Sequence, residues 1–341
     1  MRPFHYERAQ TPDAAIVSAT WQDAIPATST DAPAQFLAGG TTLLDLMKLD
    51  VMRPQTVIDI NAFERALLGH IEPGETGIRL GALVRMADAA EHPAIRRDYP
   101  VIAQSLALAA SQQLRNMASL GGNVLQKTRC SYYRDTSYSN CNRRDPGSGC
   151  AAMEGFNRQH AVLGTSDQCI ATYPGDFAQA LIALDAKVET IGRNGRRVMP
   201  FSTLHRQPGD RPEVETALAP GELIAGFVVP AGPWTRRSLY LKVRDRQSYA
   251  FAAASAAVAL DLRNGVVEDA RIGIGGVATV PWRAREAEGV LKGQPFDEAL
   301  ARRAAEAAFV AARARKDNAF KIALGKRTLV RALVDAARME L

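Results

Sequence analysis

The cysteine distribution constrains this chain more than any other feature of its sequence. The 341 residues include four cysteines, which lie in one part of the chain at Cys130, Cys141, Cys150 and Cys169. They follow a glycine pair in the segment Ser119-Leu120-Gly121-Gly122-Asn123. Soft thiolates select zinc or iron–sulfur clusters, and adjacent glycines let backbone N–H groups converge on a phosphate. The combination predicts a metal cluster beside a phosphate-binding loop, an arrangement that points to electron transfer.

The spacing of the cysteines leaves several interpretations open. The pattern C-x10-C-x8-C-x18-C does not match the short Cys-x2-Cys motifs of zinc fingers or ferredoxins, although a folded loop can bring distant thiols together. Spacing alone permits a cluster or metal site, unlinked buried cysteines, or reactive or paired thiols. Nearby arginines, which either offset a thiolate-bound cluster or are solvated, are Arg129, Arg134, Arg143 and Arg144. We interpret His160 as a structural residue and not as a ligand.

Composition and charge exclude several classes of function. Hydrophobic residues make up 47% and charged residues 23% of the chain, as in globular proteins, and its length suits two or three domains. The net charge of +6 is spread out, so we expect no nucleic-acid partner. The longest apolar stretch, Ala250 to Leu260, is too short to cross a bilayer, so we expect no membrane insertion. The first residues lack an apolar signal region, so we expect no signal peptide. A chain without its own signal is made in a reducing compartment, where four cysteines favour metal binding over disulfides.

The predicted elements change in character after a polar, proline-containing link at about 207–214. Before the link, strands and helices alternate. The predicted strands there are 4–7, 35–38, 56–60, 78–83 and 187–191, and the predicted helices are 12–24, 43–48, 100–117 and 177–183. After the link, strands at 239–244, 252–262 and 266–275, with a hairpin at Asn264-Gly265, predict an antiparallel sheet. Helices at 281–291, 295–315 and 318–338 would cover it, which makes an α+β unit. Residues 121–169 read as a loop with a breaker cluster at Asp145–Gly149.

A second glycine pair lies in Ala38-Gly39-Gly40-Thr41-Thr42, between a predicted strand and a predicted helix. Such a junction can form an anion nest for a pyrophosphate, but it is not the G-x-G-x-x-G fingerprint of a nicotinamide site. A plain turn is the alternative for each glycine pair, whereas both together could hold the two ends of a long dinucleotide. Asp176 is either a helix N-cap or an acceptor for a ligand hydroxyl. Lys242 and Arg244 lie either on an exposed sheet face or over a flavin or phosphate.

Six segments together carry a family resemblance over nearly the whole chain. They are 36–48, 113–116, 119–123, 146–150, 242–246 and 320–327. With these segments the chain resembles the FAD-binding, medium subunits of molybdenum hydroxylases, the xanthine dehydrogenase and aldehyde oxidoreductase group. Within that group it is similar to the flavin subunit of bacterial three-subunit aldehyde oxidoreductase, which carries an additional [4Fe-4S] cluster.

The resemblance implies a fold and a division of the chain. The implied class is α+β, with a two-part FAD-binding domain of the PCMH/vanillyl-alcohol-oxidase-like type followed by a C-terminal α+β domain, an antiparallel sheet with helices. The FAD-binding domain would occupy residues 1–225 and include an iron–sulfur loop at about 124–170. The C-terminal flavoprotein domain would occupy residues 230–341.

The resemblance also implies which residues hold each cofactor. The expected FAD-binding residues are Gln35, Phe36, Leu37, Ala38, Gly39, Gly40, Thr41, Thr42, Leu43, Ser119, Gly121, Gly122, Asn123, Ile170, Asp176 and Lys242. Thr42 stands where the family varies, so we expect a backbone contact there. The expected [4Fe-4S] ligands are Cys130, Cys141, Cys150 and Cys169.

The implied function is that of an electron-transfer subunit. A large molybdenum-cofactor subunit would hydroxylate an aldehyde, a small [2Fe-2S] subunit would pass electrons on, and FAD here would deliver them to an external acceptor. Export to the periplasm would depend on a twin-arginine signal carried by a partner, with a cytoplasmic location as the alternative. The alternative functions are a medium subunit of an aryl-CoA reductase or xanthine dehydrogenase, a structural zinc scaffold without flavin, and a nucleic-acid-binding zinc protein.

Overall fold

The computed structural model describes residues 1–19, 28–63 and 68–341. A small parallel sheet begins the fold, in the order β1 (His5–Arg8), β3 (Thr56–Asp59), β2 (Ala34–Leu37). Its helices are α1 (Pro12–Ala19) and α2 (Leu43–Lys48), which fits the rule that parallel strands need helical crossovers. Residues 20–24 of the first predicted helix lie outside the described residues.

A five-stranded antiparallel sheet forms the second part. Its strand order is β4 (Ile71–Gly74), β5 (Gly77–Gly81), β8 (Leu223–Pro230), β6 (Lys187–Gly192), β7 (Gly195–Pro200). Its helices are α3 (Met86–Glu91), α4 (Pro93–Asp98), α5 (Pro100–Ala107), α6 (Gln112–Met117), α7 (Leu120–Val124) and α9 (Phe177–Ala183). Side chains from this sheet and these helices share one large apolar core. The two sheets together make the two-part unit expected from the sequence.

A four-stranded antiparallel sheet forms the C-terminal part, in the order β12 (Trp282–Arg283), β11 (Val266–Gly275), β10 (Ala254–Arg263), β9 (Ser238–Val243). Its helices are α10 (Arg285–Leu291), α11 (Glu298–Ala308) and α12 (Phe320–Ala337). Alternate residues of β10 enter two cores: Val258 packs with these helices, and Ala257 packs with the core of the five-stranded sheet. Because both faces of β10 are covered, most of its residues are apolar and do not alternate with polar ones.

Several predicted boundaries are confirmed, and others are wrong for local reasons. The Asn264-Gly265 turn has φ values of 51° and 78°, as a type I′ hairpin needs. The long helix predicted over 100–117 is two helices, because the backbone at Ala110 is left-handed (φ 48°). Gly121 and Gly122 lie in α7 and not in a loop, since the Ser119 hydroxyl accepts from Gly122 N and begins a helical turn. The strands β4, β7, β8 and β12 were absent from the sequence prediction, and β12 replaces the first residues of the helix predicted over 281–291.

The cysteine segment, residues 124–170, is irregular as predicted, apart from the short helix α8 (Ser131–Arg134). Lys321, a buried residue of α12, connects the later part of the cysteine segment to the four-stranded sheet. The Lys321 ammonium donates to the carbonyls of Gln159 (3.0 Å), His160 (3.2 Å) and Gly276 (2.6 Å). Burial, together with the nearby Arg158 charge, lowers the pKa of Lys321 to about 7.

Helix α12 is the longest in the described residues, yet four basic side chains interrupt it within its first twelve positions. None of the helices in residues 1–19, 28–63 and 68–341 has the length and apolar character needed to cross a bilayer.

We expect Lys321→Met to lower the free energy of unfolding by about 2–4 kcal/mol, because two buried carbonyls and one part-buried carbonyl lose their donor. Lys326→Met is the matched control on the same helix. Lys326 pairs with the exposed Glu306, so its loss should cost less than about 1 kcal/mol. Chemical denaturation of both variants checks this, and equal stabilities would contradict the role given to Lys321.

Candidate functional site

An elongated cavity lies where the parallel sheet meets the five-stranded sheet. Its volume is about 940 Å³ when the space at its open mouth is included. The residues that line it are Gln35, Phe36, Ala38, Gly39, Gly40, Thr41, Thr42, Leu43, Met52, Ile60, Ala82, Leu83, Ser119, Gly121, Gly122, Leu125, Lys127, Glu222, Leu223 and Ile224. We call this space the glycine cavity, because both glycine pairs contribute to its wall.

A close backbone approach sets the width of the glycine cavity at one end. A Cβ placed on Gly39 would lie 2.0 Å from the Met117 carbonyl oxygen, a distance that no side chain can adopt. Arg85 holds the same carbonyl with Nη1 at 2.6 Å and also donates to Asn61 Oδ1 at 3.2 Å. The Asn61 amide in turn donates to the Ala38 carbonyl at 3.0 Å. Asn61 and Arg85 therefore fix the first glycine loop against the second, a role that sequence reasoning missed.

The first glycine loop has the backbone that its residues predicted. Gly40 has a φ of +70°, which only glycine adopts freely, and it begins the turn from β2 into α2. Leu44 N donates to the Gly40 carbonyl at 3.1 Å, which closes this turn. Thr41 and Thr42 follow directly, and both residues also line the cavity. Such a wall can bind an anionic group.

Eleven of the sixteen residues expected to bind FAD line the glycine cavity. Leu37, Asn123, Ile170, Asp176 and Lys242 are the five that do not. Leu37 belongs to the same loop, and Asn123 to α7. Nine further residues line the cavity without having been expected to do so: Met52, Ile60, Ala82, Leu83, Leu125, Lys127, Glu222, Leu223 and Ile224.

Asp176 and Lys242 meet each other in a buried ion pair rather than in the cavity wall. Lys242 Nζ lies 2.7 Å from Asp176 Oδ2, and the two side chains are 1% and 5% exposed. The Tyr240 hydroxyl donates to the other carboxylate oxygen at 2.6 Å. Burial nonetheless raises the pKa of Asp176 above its ordinary value. The alternative of an exposed sheet face for Lys242 is therefore wrong, and Asp176 makes no side-chain cap to its own helix.

All four cysteines line one small cavity of about 290 Å³, which we call the cysteine cavity. Each carries a free thiol. A short antiparallel bridge between Cys141 and Cys150 closes part of its wall, and Gly147 and Gly149 turn the chain there with φ values of 89° and 97°. The expectation that distant cysteines are brought together by a folded loop is met.

Polar groups surround these sulfurs. Arg143 Nε donates to Cys169 Sγ at 3.3 Å, Ala171 N donates to the same sulfur at 3.4 Å, and His160 Nε2 lies 3.1 Å from Cys130 Sγ. Burial raises the pKa of the Cys130 thiol to about 12 and lowers the pKa of His160 to about 4. Burial also raises the pKa of the Cys141 and Cys150 thiols, so a bound cation would be needed to deprotonate these three thiols at pH 7.

The cysteine cavity is not arranged as a site for a single metal ion. Within the described residues, no three His, Cys, Asp or Glu side chains are placed to hold one ion together. The donor set is nevertheless chemically uniform, since four thiols face one space. Thiol donors suit zinc or an iron–sulfur cluster.

A buried charge network connects the two cavities. Glu215 accepts from Lys127, which lines the glycine cavity, and from Arg143, which contacts Cys169. The Glu215 and Arg143 side chains are only 17% and 9% exposed. Burial would raise the pKa of Glu215, but the two cations outweigh it and lower this pKa to about 2.

Two families match the chain in sequence. Residues 10–232 match the family described as FAD binding domain in molybdopterin dehydrogenase. Residues 239–336 match the CO dehydrogenase flavoprotein C-terminal domain.

Similar proteins span nearly the whole chain. The aldehyde oxidoreductase FAD-binding subunit PaoB of Escherichia coli is 44% identical over 339 residues, which covers 98% of this chain and 99% of that protein. The carbon monoxide dehydrogenase medium chain of Afipia carboxidovorans is 27% identical, covering 77% and 73%. In structure, carbon monoxide dehydrogenase from Hydrogenophaga pseudoflava matches with a TM-score of 0.73 at 24% identity, covering 98% of this chain and 97% of that chain. At that identity the structural likeness shows the fold.

We expect Glu215→Gln to lower the free energy of unfolding by about 2 kcal/mol at pH 7, because Lys127 and Arg143 would lose a partly buried counter-charge. The wild type should lose this contribution as pH falls from 4.5, the ordinary pKa of a glutamate, towards 2. The variant should lack that part of the pH dependence. Denaturation curves between pH 2.5 and 7 test this, and parallel pH profiles would contradict it.

Proposed function

The chain belongs to the FAD-binding subunits of the molybdopterin dehydrogenases, and from this premise we propose that it is the electron-transfer flavin subunit of a molybdenum-dependent aldehyde oxidoreductase. The observation that carries the proposal is the glycine cavity, where two distant glycine segments form one wall. The name of the 44% identical relative supports the aldehyde as the substrate class of the whole enzyme.

We propose that both glycine segments bind FAD. The loop 35–43 would receive the pyrophosphate through its backbone N–H groups and threonine hydroxyls, and Ser119 with 121–123 would face it from α7. Ile170, Asp176 and Lys242 would contact the flavin from the far side, where Asp176 and Lys242 already form a buried pair. When bound, FAD would supply the redox chemistry, taking up electrons and releasing them to an external acceptor.

The chain's own residues would hold and orient the flavin. The close contact of Gly39 with Met117 fixes the distance between the two loops. The ammonium of Lys127 lies in the cavity wall and adds positive charge where a dianionic pyrophosphate would lie. The substrate itself would be oxidised elsewhere, in a molybdenum-cofactor subunit.

We infer the partners and the location from the same proposal. A large molybdenum subunit and a small [2Fe-2S] subunit would complete the enzyme, in the periplasm if a partner carries a twin-arginine signal. An aryl-CoA reductase or xanthine dehydrogenase medium subunit is the alternative within the family. The FAD-binding domain would span residues 1–225 and the C-terminal domain residues 230–341.

We further propose that the cysteine cavity holds a [4Fe-4S] cluster. The four cysteines that line one cavity support it, because cysteine thiolates are the usual ligands of iron–sulfur clusters. The N–H groups that point at Cys169 support it as well, because such donors accompany cluster sulfurs. Within residues 124–170, Cys130, Cys141, Cys150 and Cys169 would be the ligands.

The first experiment is an absorption spectrum of protein purified without oxygen, with flavin, iron and sulfide assayed on the same sample. One flavin with four irons and four sulfides per chain is the expected result. Flavin without iron would support the assignment as a flavin subunit and contradict the proposed cluster. Zinc without flavin would overturn the proposal in favour of a structural zinc scaffold.

We expect Gly39→Ala to lose most of its FAD, because the new methyl group cannot fit beside the Met117 carbonyl and the loop must move. Gly289→Ala is the control, since a Cβ there meets no atom within 4 Å. Flavin released by acid and measured by absorbance reports occupancy. Full occupancy in Gly39→Ala would refute the loop assignment.

We expect Cys141→Ser to reduce the iron content of the purified protein, because a hydroxyl is a poor substitute for a thiolate. Ser137→Ala, in the same segment and exposed, should keep wild-type iron. Iron analysis of both proteins decides the point. Unchanged iron in Cys141→Ser would remove that residue from the ligand set.

A further inference from the structure

Of the five arginines in the cysteine segment, Arg158 pairs with the exposed Asp245, and the contacts of the other four differ. Arg129 and Arg134 pair with Asp45 on α2. Arg144 donates to the backbone carbonyls of Tyr132 and Tyr133, and so it closes the turn of α8. Among the described contacts of these four arginines, only those of Arg143 include a cysteine sulfur.

Arg143 is held from both ends. Its Nε lies 3.3 Å from Cys169 Sγ, and its Nη1 donates to Glu215. Glu215 is held in turn by Lys127, whose Nζ also donates to Ser29 Oγ at 2.6 Å. The guanidinium is a planar group with donors in fixed directions, so a carboxylate on one edge determines where the other edge points. Glu215 thereby aims the Nε–H of Arg143 at the sulfur.

The charge of Arg143 persists at every physiological pH. A guanidinium is not deprotonated in proteins, and the carboxylate of Glu215 pairs with this one. A cluster bound by four thiolates carries net negative charge and becomes more negative when it gains an electron. A fixed cation and an N–H donor at one of its sulfurs stabilise the reduced form more than the oxidised form.

We propose that Arg143, aimed by Glu215 and Lys127, is the positioning residue that raises the reduction potential at the Cys169 corner of the cysteine cavity. This inference rests on the proposed [4Fe-4S] site. It assigns to one arginine a function that the arginine-rich composition of the segment left undecided.

The test is a redox titration of the purified protein with dithionite, which reduces the cluster by one electron, followed by electron paramagnetic resonance. Arg143→Gln should shift the one-electron equilibrium about tenfold towards the oxidised form, which is about 59 mV to lower potential. Arg143→Lys keeps the charge but not the planar fork and should shift it less. Arg134→Gln, with the same loss of charge but no sulfur contact, should shift it less than about threefold.

The iron content of each protein distinguishes a failure of the role of Arg143 from a failure of the proposed [4Fe-4S] site. Wild-type protein without iron would overturn the cluster and this inference together. Wild-type iron with an unchanged potential in Arg143→Gln, or an equal shift in Arg134→Gln, would overturn the role of Arg143 alone. If Arg143→Gln fails to hold iron or to fold, Arg143→Lys decides, and a potential equal to the wild type in that variant contradicts the need for the planar donor.

Discussion

The contact between Gly39 and the Met117 carbonyl is the constraint on which the glycine cavity depends. It places the loop after β2 in contact with the segment between α6 and α7. The loop belongs to the parallel sheet, and the two helices belong with the five-stranded sheet. A single methyl group at position 39 is too large for the gap. Arg85 and Asn61 satisfy the carbonyls on both sides of the contact, so the two loops are joined by hydrogen bonds as well as by shape. Two loops fixed in this way form a wall whose backbone donors need no rearrangement when a ligand enters.

Buried charge follows one pattern in both functional regions. Asp176 is neutralised by Lys242, and Glu215 is neutralised by Lys127 and Arg143. Glu215 and its two cations lie between the two cavities, whereas Asp176 and Lys242 line neither of them. Removing one partner of such a pair leaves an uncompensated charge, which costs more than the pair itself contributes. These contacts therefore fix side-chain positions around the cavities more than they stabilise the fold.

Local features were predictable from the sequence, and contacts between distant segments were not. The Gly39-Gly40 turn, the Asn264-Gly265 hairpin and the helix at Phe177–Ala183 follow from residues that lie next to each other. Eleven cavity residues followed from the family resemblance, since single motifs left a plain turn as the alternative. The gathering of four cysteines depends on a folded loop, and spacing alone left it open.

The residues that sequence reasoning missed share a physical reason. Lys127 meets Glu215 across 88 positions, and Arg85 meets Met117 across 32. No periodicity or motif records such a pairing. The break at Ala110 was missed because a left-handed alanine carries no sequence signal. The helical state of Gly121 and Gly122 was missed because glycine usually opposes helices, whereas here the Ser119 cap outweighs that preference.

The anchoring of the cysteine segment has a consequence for the order of events during synthesis. Asn157 exchanges hydrogen bonds with Asp317, Val162 accepts from Arg313 N, and Lys321 holds two carbonyls of the segment. These partners leave the ribosome about 150 residues later than the last cysteine, which at about 5–20 residues per second is on the order of ten seconds. During that interval the cysteine segment lacks these contacts, so its native surroundings are completed only after the start of α12 has been synthesised.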